Sequence, residues 1–432
     1  MNFCGIWIVL SSAEKCKYPF IDSKENSMIS RNPVKVLVLD GHSSAALAFV
    51  RSLGRAGFWL AVGYSKGSFA PAALSRYCKL RFEYSNPTNG ATSFSDSVLK
   101  FVRQNGIDVV MPMTDATIWP LSSEREQFRE DTLLALASYN AIEIATDKYR
   151  TINLAEEFGI PVPETILVRS IEDLKLTSTW PLPIVVKDRS SARWIDNKAM
   201  LASTSYTYSQ EELNKIVGKR LSEIGDVLLQ KFVAGIGIGF SCFSSNGDIY
   251  IPFQWERIRE KDPRGSGSSA RKSVRLEAQV IEFAEKLITE IGFQGILMFE
   301  FKKEKQNGRL TLIEINGRPW GSIQLAIHCG IDYPLHFINW HLEGKCPPKQ
   351  IDYKKGITCK WLTADLVHLE NLWEGKPIGW PLDYPSFWLS LLKIGIPWYP
   401  GLRYDDLSFD DPKPGVAELM KWLGSHIRKD AN

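Results

Sequence analysis

Leu297-Met298-Phe299-Glu300-Phe301 and, after a Lys305-Gln306-Asn307-Gly308 turn, Leu310-Thr311-Leu312-Ile313-Glu314-Ile315-Asn316-Gly317-Arg318 decide how this chain is read. Both apolar runs predict neighbouring strands of a sheet. Successive side chains of a strand alternate faces, so Glu314, Asn316 and Arg318 share one face, and hairpin pairing brings Glu300 beside them. Two carboxylates and an amide oxygen then converge. An all-oxygen cluster of this kind suits Mg²⁺, which is held by one or two carboxylates together with a nucleotide's phosphates. A lone Glu at a strand end is ordinarily a solvated edge residue. Three polar groups on one face of an apolar hairpin are harder to explain that way, because a shared low-dielectric face raises carboxylate pKa values unless a cation is present.

Composition bounds the rest. At 432 residues and 44% hydrophobic content the chain is expected to form several packed units. A net charge of +3, with no stripe of Lys and Arg, argues against nucleic acid as a partner. The 7 cysteines are odd in number and scattered without a C-x-x-C pair, which points to a reducing, cytoplasmic setting. Residues 3–10 are apolar but lack a basic flank and are too short to span a bilayer, and no other segment reads as transmembrane. Residues 1–32 are expected to be a poorly ordered extension.

Along the chain, residues 34–40 read as a buried strand and residues 45–55 as a helix, followed by a strand at 58–63, a helix at 94–104 and strands at 108–111 and 132–137. This alternation implies a parallel sheet with right-handed crossovers. Its first turn, Gly41-His42-Ser43-Ser44, lacks the spacing of a dinucleotide site. Thr114-Asp115 read as a helix cap or a substrate contact, with the cap preferred. Asp147 is placed to cap the helix 149–158. Lys148 opposes the macrodipole of that helix, a conflict that an incoming anion resolves. Lys187 ends the strand Pro183-Ile184-Val185-Val186, where a phosphate-contacting lysine and a solvated terminus are both at home. The strand 227–233 runs into Ala234-Gly235-Ile236-Gly237-Ile238-Gly239, a hinge whose backbone can read an adenine edge. Residues 254–272, rich in Arg, Gly and Ser, read as a basic, flexible segment able to close over phosphates.

Taken in order, Lys148, Lys187, the Gln230-Lys231-Phe232-Val233 hinge, Glu300 and Glu314-x-Asn316-x-Arg318 resemble the ATP-grasp superfamily over roughly residues 34–345, most specifically in the two metal strands. The resemblance implies an α/β protein. A pre-ATP-grasp parallel-sheet domain (33–145) is followed by a two-subdomain ATP-grasp α+β fold (146–345) and an aromatic-rich C-terminal extension (346–432). It implies ATP and Mg²⁺ as cofactors, with Mn²⁺ as an alternative ion. Lys148 and Lys187 would contact the phosphates, and Gln230, Lys231, Phe232 and Val233 would line the adenine pocket. Glu300, Glu314 and Asn316 would hold the metal. Arg318 would stabilise charge on the transferred phosphoryl group, and Arg257 or Arg259 would position the acceptor carboxylate. The implied reaction is ligation: a carboxylate is activated as an acyl-phosphate and attacked by an amine or another nucleophile. The partners are small-molecule acids and amines, and a homo-oligomer is expected. The rival readings are a carbamoyl-phosphate-type or carboxylase-like enzyme and a non-catalytic nucleotide binder. Two departures stand out: Gln230 replaces the hinge acid, and residues 235–239 hold no acid for the ribose. The last 87 residues are expected to pack on the core, with a substrate-recognition or membrane-surface patch as the alternative.

Overall fold

The computed structural model describes residues 33–195 and 198–429. The extension expected over residues 1–32 lies outside the described residues. β1 (Lys35–Val38), β2 (Trp59–Ser65), β3 (Cys78–Tyr84), β4 (Val109–Met111) and β5 (Leu133–Leu134) form a five-stranded sheet in the order β3-β2-β1-β4-β5. All its pairings are parallel. The order in which strands are added reverses between β1 and β4, and Asp40 lies just past β1 with a positive φ of 57°. Its buried carboxylate accepts the Met113 and Thr114 amides, each at 2.9 Å, and the Thr117 hydroxyl at 2.6 Å. This anchors the loop that carries Asp115.

A second, four-stranded antiparallel sheet has the order β10-β7-β11-β6, from β6 (Thr165–Val168), β7 (Ile184–Lys187), β10 (Thr204–Thr207) and β11 (Val227–Lys231). A hairpin, β8 (Ala192–Ile195) and β9 (Lys198–Leu201), stands between β7 and β10. Ile184, Val186, Val227 and Leu229 pack with Leu213 and Val217 of the helix Gln210–Ile224, so alternation turns Val185, Lys187, Leu228 and Gln230 to the opposite face.

The third sheet has seven strands in the order β16-β15-β12-β13-β14-β17-β18. They are β12 (Ile236–Ser245), β13 (Asp248–Glu260), β14 (Ser268–Ser273), β15 (Gly295–Lys303), β16 (Leu310–Asn316), β17 (Thr358–Lys360) and β18 (Leu402–Tyr404). The expected hairpin is there, its turn closed by the Glu304 amide on the Arg309 carbonyl at 3.0 Å. One face of this sheet, with Phe240, Phe299, Phe301 and Ile315, shares a continuous apolar core with Phe94 and Leu136 of the parallel-sheet region. β17 and β18 come from the segment after residue 346, so that segment completes the sheet. Arg51, 1% exposed, ties it further, donating to the Asp411 carboxylate at 2.9 Å and to the carbonyls of Asp405, Asp406 and Asp411.

Two sequence expectations are corrected. Residues 254–272 are chiefly strand, because their arginines are internal partners: Arg259 of Asp365, Arg271 of Asp405, and Arg257 of Glu260 and Glu300. Gly237 and Gly239 belong to β12, and the hinge shortens to residues 232–235.

Candidate active site

The floor of the site is the open face of β12, β13, β15 and β16. Glu300 and Glu314 are direct register partners, and Met298 stands opposite Asn316, so alternation puts Glu300, Glu314 and Asn316 on one face. Both glutamate side chains are 24% exposed, whereas Asn316 is buried. Glu300 is met by Arg257 Nη2 at 2.6 Å, and Glu314 by Lys148 Nζ at 4.0 Å. Arg257 reaches Glu300 from β13, across β12, only because β12 offers glycine there. A Cβ on Gly237 would lie 2.5 Å from Arg257 Cδ, and one on Gly239 would lie 2.2 Å from the Trp255 ring. The glycines expected to serve the hinge serve this crossing.

Arg257 also donates to Glu260 at 3.0 Å and to the Ser266 carbonyl at 2.9 Å. Burial alone would lower its pKa, but Glu300 and Glu260 outweigh burial and raise it, so the charge is permanent. Arg259 is placed differently. Its guanidinium fork grips fully buried Asp365 at 2.8 and 2.6 Å, leaving Arg257 as the arginine that faces the carboxylates. Sequence reasoning missed Lys302, although it stands two residues after Glu300 on the same face, and Glu260, which lies 3.6 Å from it.

Lys187 projects from the open face of the four-stranded sheet and is 8% exposed. Burial lowers its pKa from 10.5 to about 8. Glu314 and Glu300 counter that shift, while Lys148 and Lys302 add to it. Lys148 opens the helix Lys148–Glu157, where Asp147 caps the Tyr149 and Arg150 amides at 3.0 and 3.2 Å, as the sequence indicated. The Lys148 amide donates to the Arg189 carbonyl at 2.8 Å and its Nζ lies 3.3 Å from Ser191 Oγ, so it is held firmly for a first-turn residue. Two buried ammonium groups thus share one carboxylate neighbourhood, an arrangement that an added polyanion relieves.

At the hinge, Gln230 Nε2 donates to Thr165 Oγ1 at 3.0 Å, and Lys231 pairs with Glu164 beside Trp180. Phe232 packs 5.1 Å from Trp380, and both contact Tyr206 of β10. Val233, half-buried, follows. Trp380 was not read from the sequence as part of this region. At the other end Arg318 Nε donates to Asp115 Oδ2 at 2.8 Å. Asp115 opens the helix Asp115–Ser123, and the cap position itself is Thr114, whose side chain makes no capping bond. Beside Asp147 and Arg189, a cavity of about 760 Å³ opens against Trp119, Tyr139, Arg193 and Trp194. Among the described residues no three His, Cys, Asp or Glu side chains form a metal cluster. The side-chain amide of Asn316 shares the face of the carboxylate pair.

A family model described as ATP-grasp in the biosynthetic pathway with Ter operon matches residues 224–364, which span the hinge, Glu300, Glu314 and Asn316. The chain is 23% identical over 273 residues to the carbamoyl-phosphate synthase of Methanobrevibacter smithii, covering 60% of this chain and 70% of that one. Among solved structures, the L-amino acid ligase of Bacillus licheniformis superposes with a TM-score of 0.56 at 16% identity, over 73% of this chain and 75% of that one. The biotin carboxylase domain dimer of the Hydrogenobacter thermophilus 2-oxoglutarate carboxylase, solved with Mg-ADP and bicarbonate, gives 0.58 at 16% identity, over 75% and 73%. The fold is the ATP-grasp fold. The family model and these likenesses support the resemblance to the ATP-grasp superfamily read from the sequence.

Proposed function

We propose that this ATP-grasp enzyme activates a carboxylate with ATP as an acyl-phosphate and passes the acyl group to an amine. The observation that carries the reading is the in-register Glu300–Glu314 pair facing two buried lysines. The donor set fits Mg²⁺, being two carboxylates and an amide, all hard oxygens; Lys148 stands 4.0 Å from Glu314, and the ion would share Glu300 with Arg257, which lies 2.6 Å from it. Glu300, Glu314 and Asn316 would hold the ion, which would supply positive charge against the nucleotide's phosphates. Lys148 and Lys187 bind the phosphates, and residues 230–233 receive the adenine. Arg257 orients the acceptor carboxylate. Its oxygen attacks the γ-phosphorus, the bond to the β-phosphate oxygen breaks, and ADP leaves. Arg318 stabilises the charge spread over the transferred group. The amine then attacks the acyl carbon, inorganic phosphate departs and the amine loses a proton. The likeness to a carbamoyl-phosphate synthase supports a second reading, in which bicarbonate is the acid. We place the reaction in the cytoplasm, where ATP is supplied and the free thiols Cys78, Cys242, Cys329, Cys346 and Cys359 stay reduced.

The test is ADP release by purified protein against pools of amino acids, hydroxy acids, small organic acids and bicarbonate, each with and without amines. Arg318→Lys is expected to bind ATP nearly normally yet lose most of its turnover, because an ammonium cannot reproduce the guanidinium fork. Wild-type protein that binds Mg-ATP tightly but releases no ADP with any acceptor would establish a non-catalytic nucleotide binder.

A further inference from the structure

Arg318 sits two residues beyond Asn316 and four beyond Glu314, so its cation has a ready alternative to its working place. It is half-buried, and after Asp115 the carboxylates that act on it electrostatically are Glu314 and Glu300, the pair assigned to the metal. A flexible arginine there would fold onto that pair and compete with Mg²⁺. The structure holds it elsewhere. Asp115 Oδ2 takes the Nε edge at 2.8 Å and the Pro319 carbonyl takes Nη1 at 3.2 Å, while the arginine side chain keeps 25% of its surface exposed. A guanidinium has five N–H donors in one plane, so fixing the Nε edge sets the direction of the remaining Nη donors. Asp115 is itself fixed. It is 7% exposed, opens the helix Asp115–Ser123, and follows the loop whose Met113 and Thr114 amides are bonded to Asp40. Its carboxylate at a helix N-terminus is further stabilised by the macrodipole.

We propose that Asp115 is the positioning residue for Arg318, a carboxylate from the parallel-sheet region that keeps the guanidinium off Glu300 and Glu314 and aims its free donors at the transferred group. The inference rests on the role given above to Arg318. It assigns a part in the site to a residue 203 positions away in sequence and outside the segment matched by the family model.

Asp115→Asn keeps the side-chain volume and removes the charge. It is expected to lower kcat by about ten- to hundredfold, as a misplaced catalytic group does, with KM for Mg-ATP little changed and the Mg²⁺ concentration needed for half-maximal rate raised several-fold. In an Arg318→Met background the same substitution should cost nothing more, because a positioning residue has then nothing to position. The double variant also controls for folding, since removing both partners of the pair leaves no uncompensated charge. Additive losses, or an unchanged kcat and Mg²⁺ requirement, would overturn the inference. A readout independent of turnover is the Arg318 Nε–H signal in ¹⁵N-arginine protein, assigned by its loss in Arg318→Met. It should be sharp and slowly exchanging in the wild type and broadened in Asp115→Asn; equal signals overturn the assignment. Failure of the wild type to bind Mg-ATP would refute the ligase reading, and the Nε–H signal would still decide whether Asp115 holds Arg318.

Discussion

Lys187 lets nucleotide affinity be predicted as a function of pH. Burial holds its pKa at about 8 in the free protein, against an ordinary 10.5. A phosphate placed against the ammonium favours the charged form and carries the value back towards the ordinary one. Binding above pH 8 must therefore draw a proton from solution. If the bound value returns fully, the arithmetic of one titrating group gives a weakening of Mg-ATP affinity of about tenfold between pH 7 and pH 9, within a ceiling of roughly 3 kcal/mol for the whole shift. The nucleotide's own phosphates are already ionised over this range. Stability of the free protein moves the opposite way. Because the folded value lies below the unfolded one, the protein gains stability as pH rises from about 8 towards 10.5. Calorimetric titration with a non-hydrolysable ATP analogue, at fixed Mg²⁺ and in two buffers of different ionisation enthalpy, reads affinity and proton uptake together. About half a proton should be taken up at pH 8, and Lys187→Met should abolish both the uptake and the slope. A flat affinity profile in the wild type, or the same slope in Lys187→Met, would refute the reasoning.

Three further outcomes follow from the geometry. Lys187→Met should weaken nucleotide binding more than Lys148→Met, since Lys148 already has Glu314 at 4.0 Å to offset its charge, and the same titrations rank the two. Glu314→Ala should abolish ADP release while the protein stays folded, because its carboxylate has only a distant partner, Lys148 at 4.0 Å, and no close ion pair is lost; unchanged turnover with metal still bound excludes the proposed site. Gly239→Ala should cost about 1–3 kcal/mol in denaturant unfolding, the usual penalty of overpacking. The new Cβ would press within 2.2 Å of the rigid Trp255 ring, and a neutral result would mean that the ring can step aside.

The parts legible in the sequence were those set by neighbours in the chain. The hairpin carrying Glu300 and Glu314 could be read because its turn and its alternation are local, and alternation alone puts Asn316 on the face of Glu314. The Asp147 cap was local too. What escaped depends on distance. The arginines of residues 254–272 resemble a solvated loop until their partners are known, and those partners lie 106 residues away for Arg259 and 134 for Arg271. The Asp115–Arg318 pair spans 203. β3 was missed for another reason. It is an edge strand whose alternate residues Lys79, Arg81 and Glu83 face outward, so its composition reads as a loop. The reach of Trp380 to the hinge had no sequence signal at all.

β17 and β18 also bear on how the protein is made. Synthesis runs from the N-terminus and sheets assemble from the strands already available. The site's floor, from β12 through β16, leaves the ribosome before the strands that finish its far side, and β14 has no partner on that side until residues 358–360 emerge. During that interval the nascent protein carries an open strand edge near the face that bears Glu300 and Glu314, an edge of the kind that pairs with other chains. The closing strands, and the Asp405, Asp406 and Asp411 groups that receive Arg51, come last. A stop codon even shortly before residue 402 would leave β17 as the new edge and Arg51 without any of these acceptors.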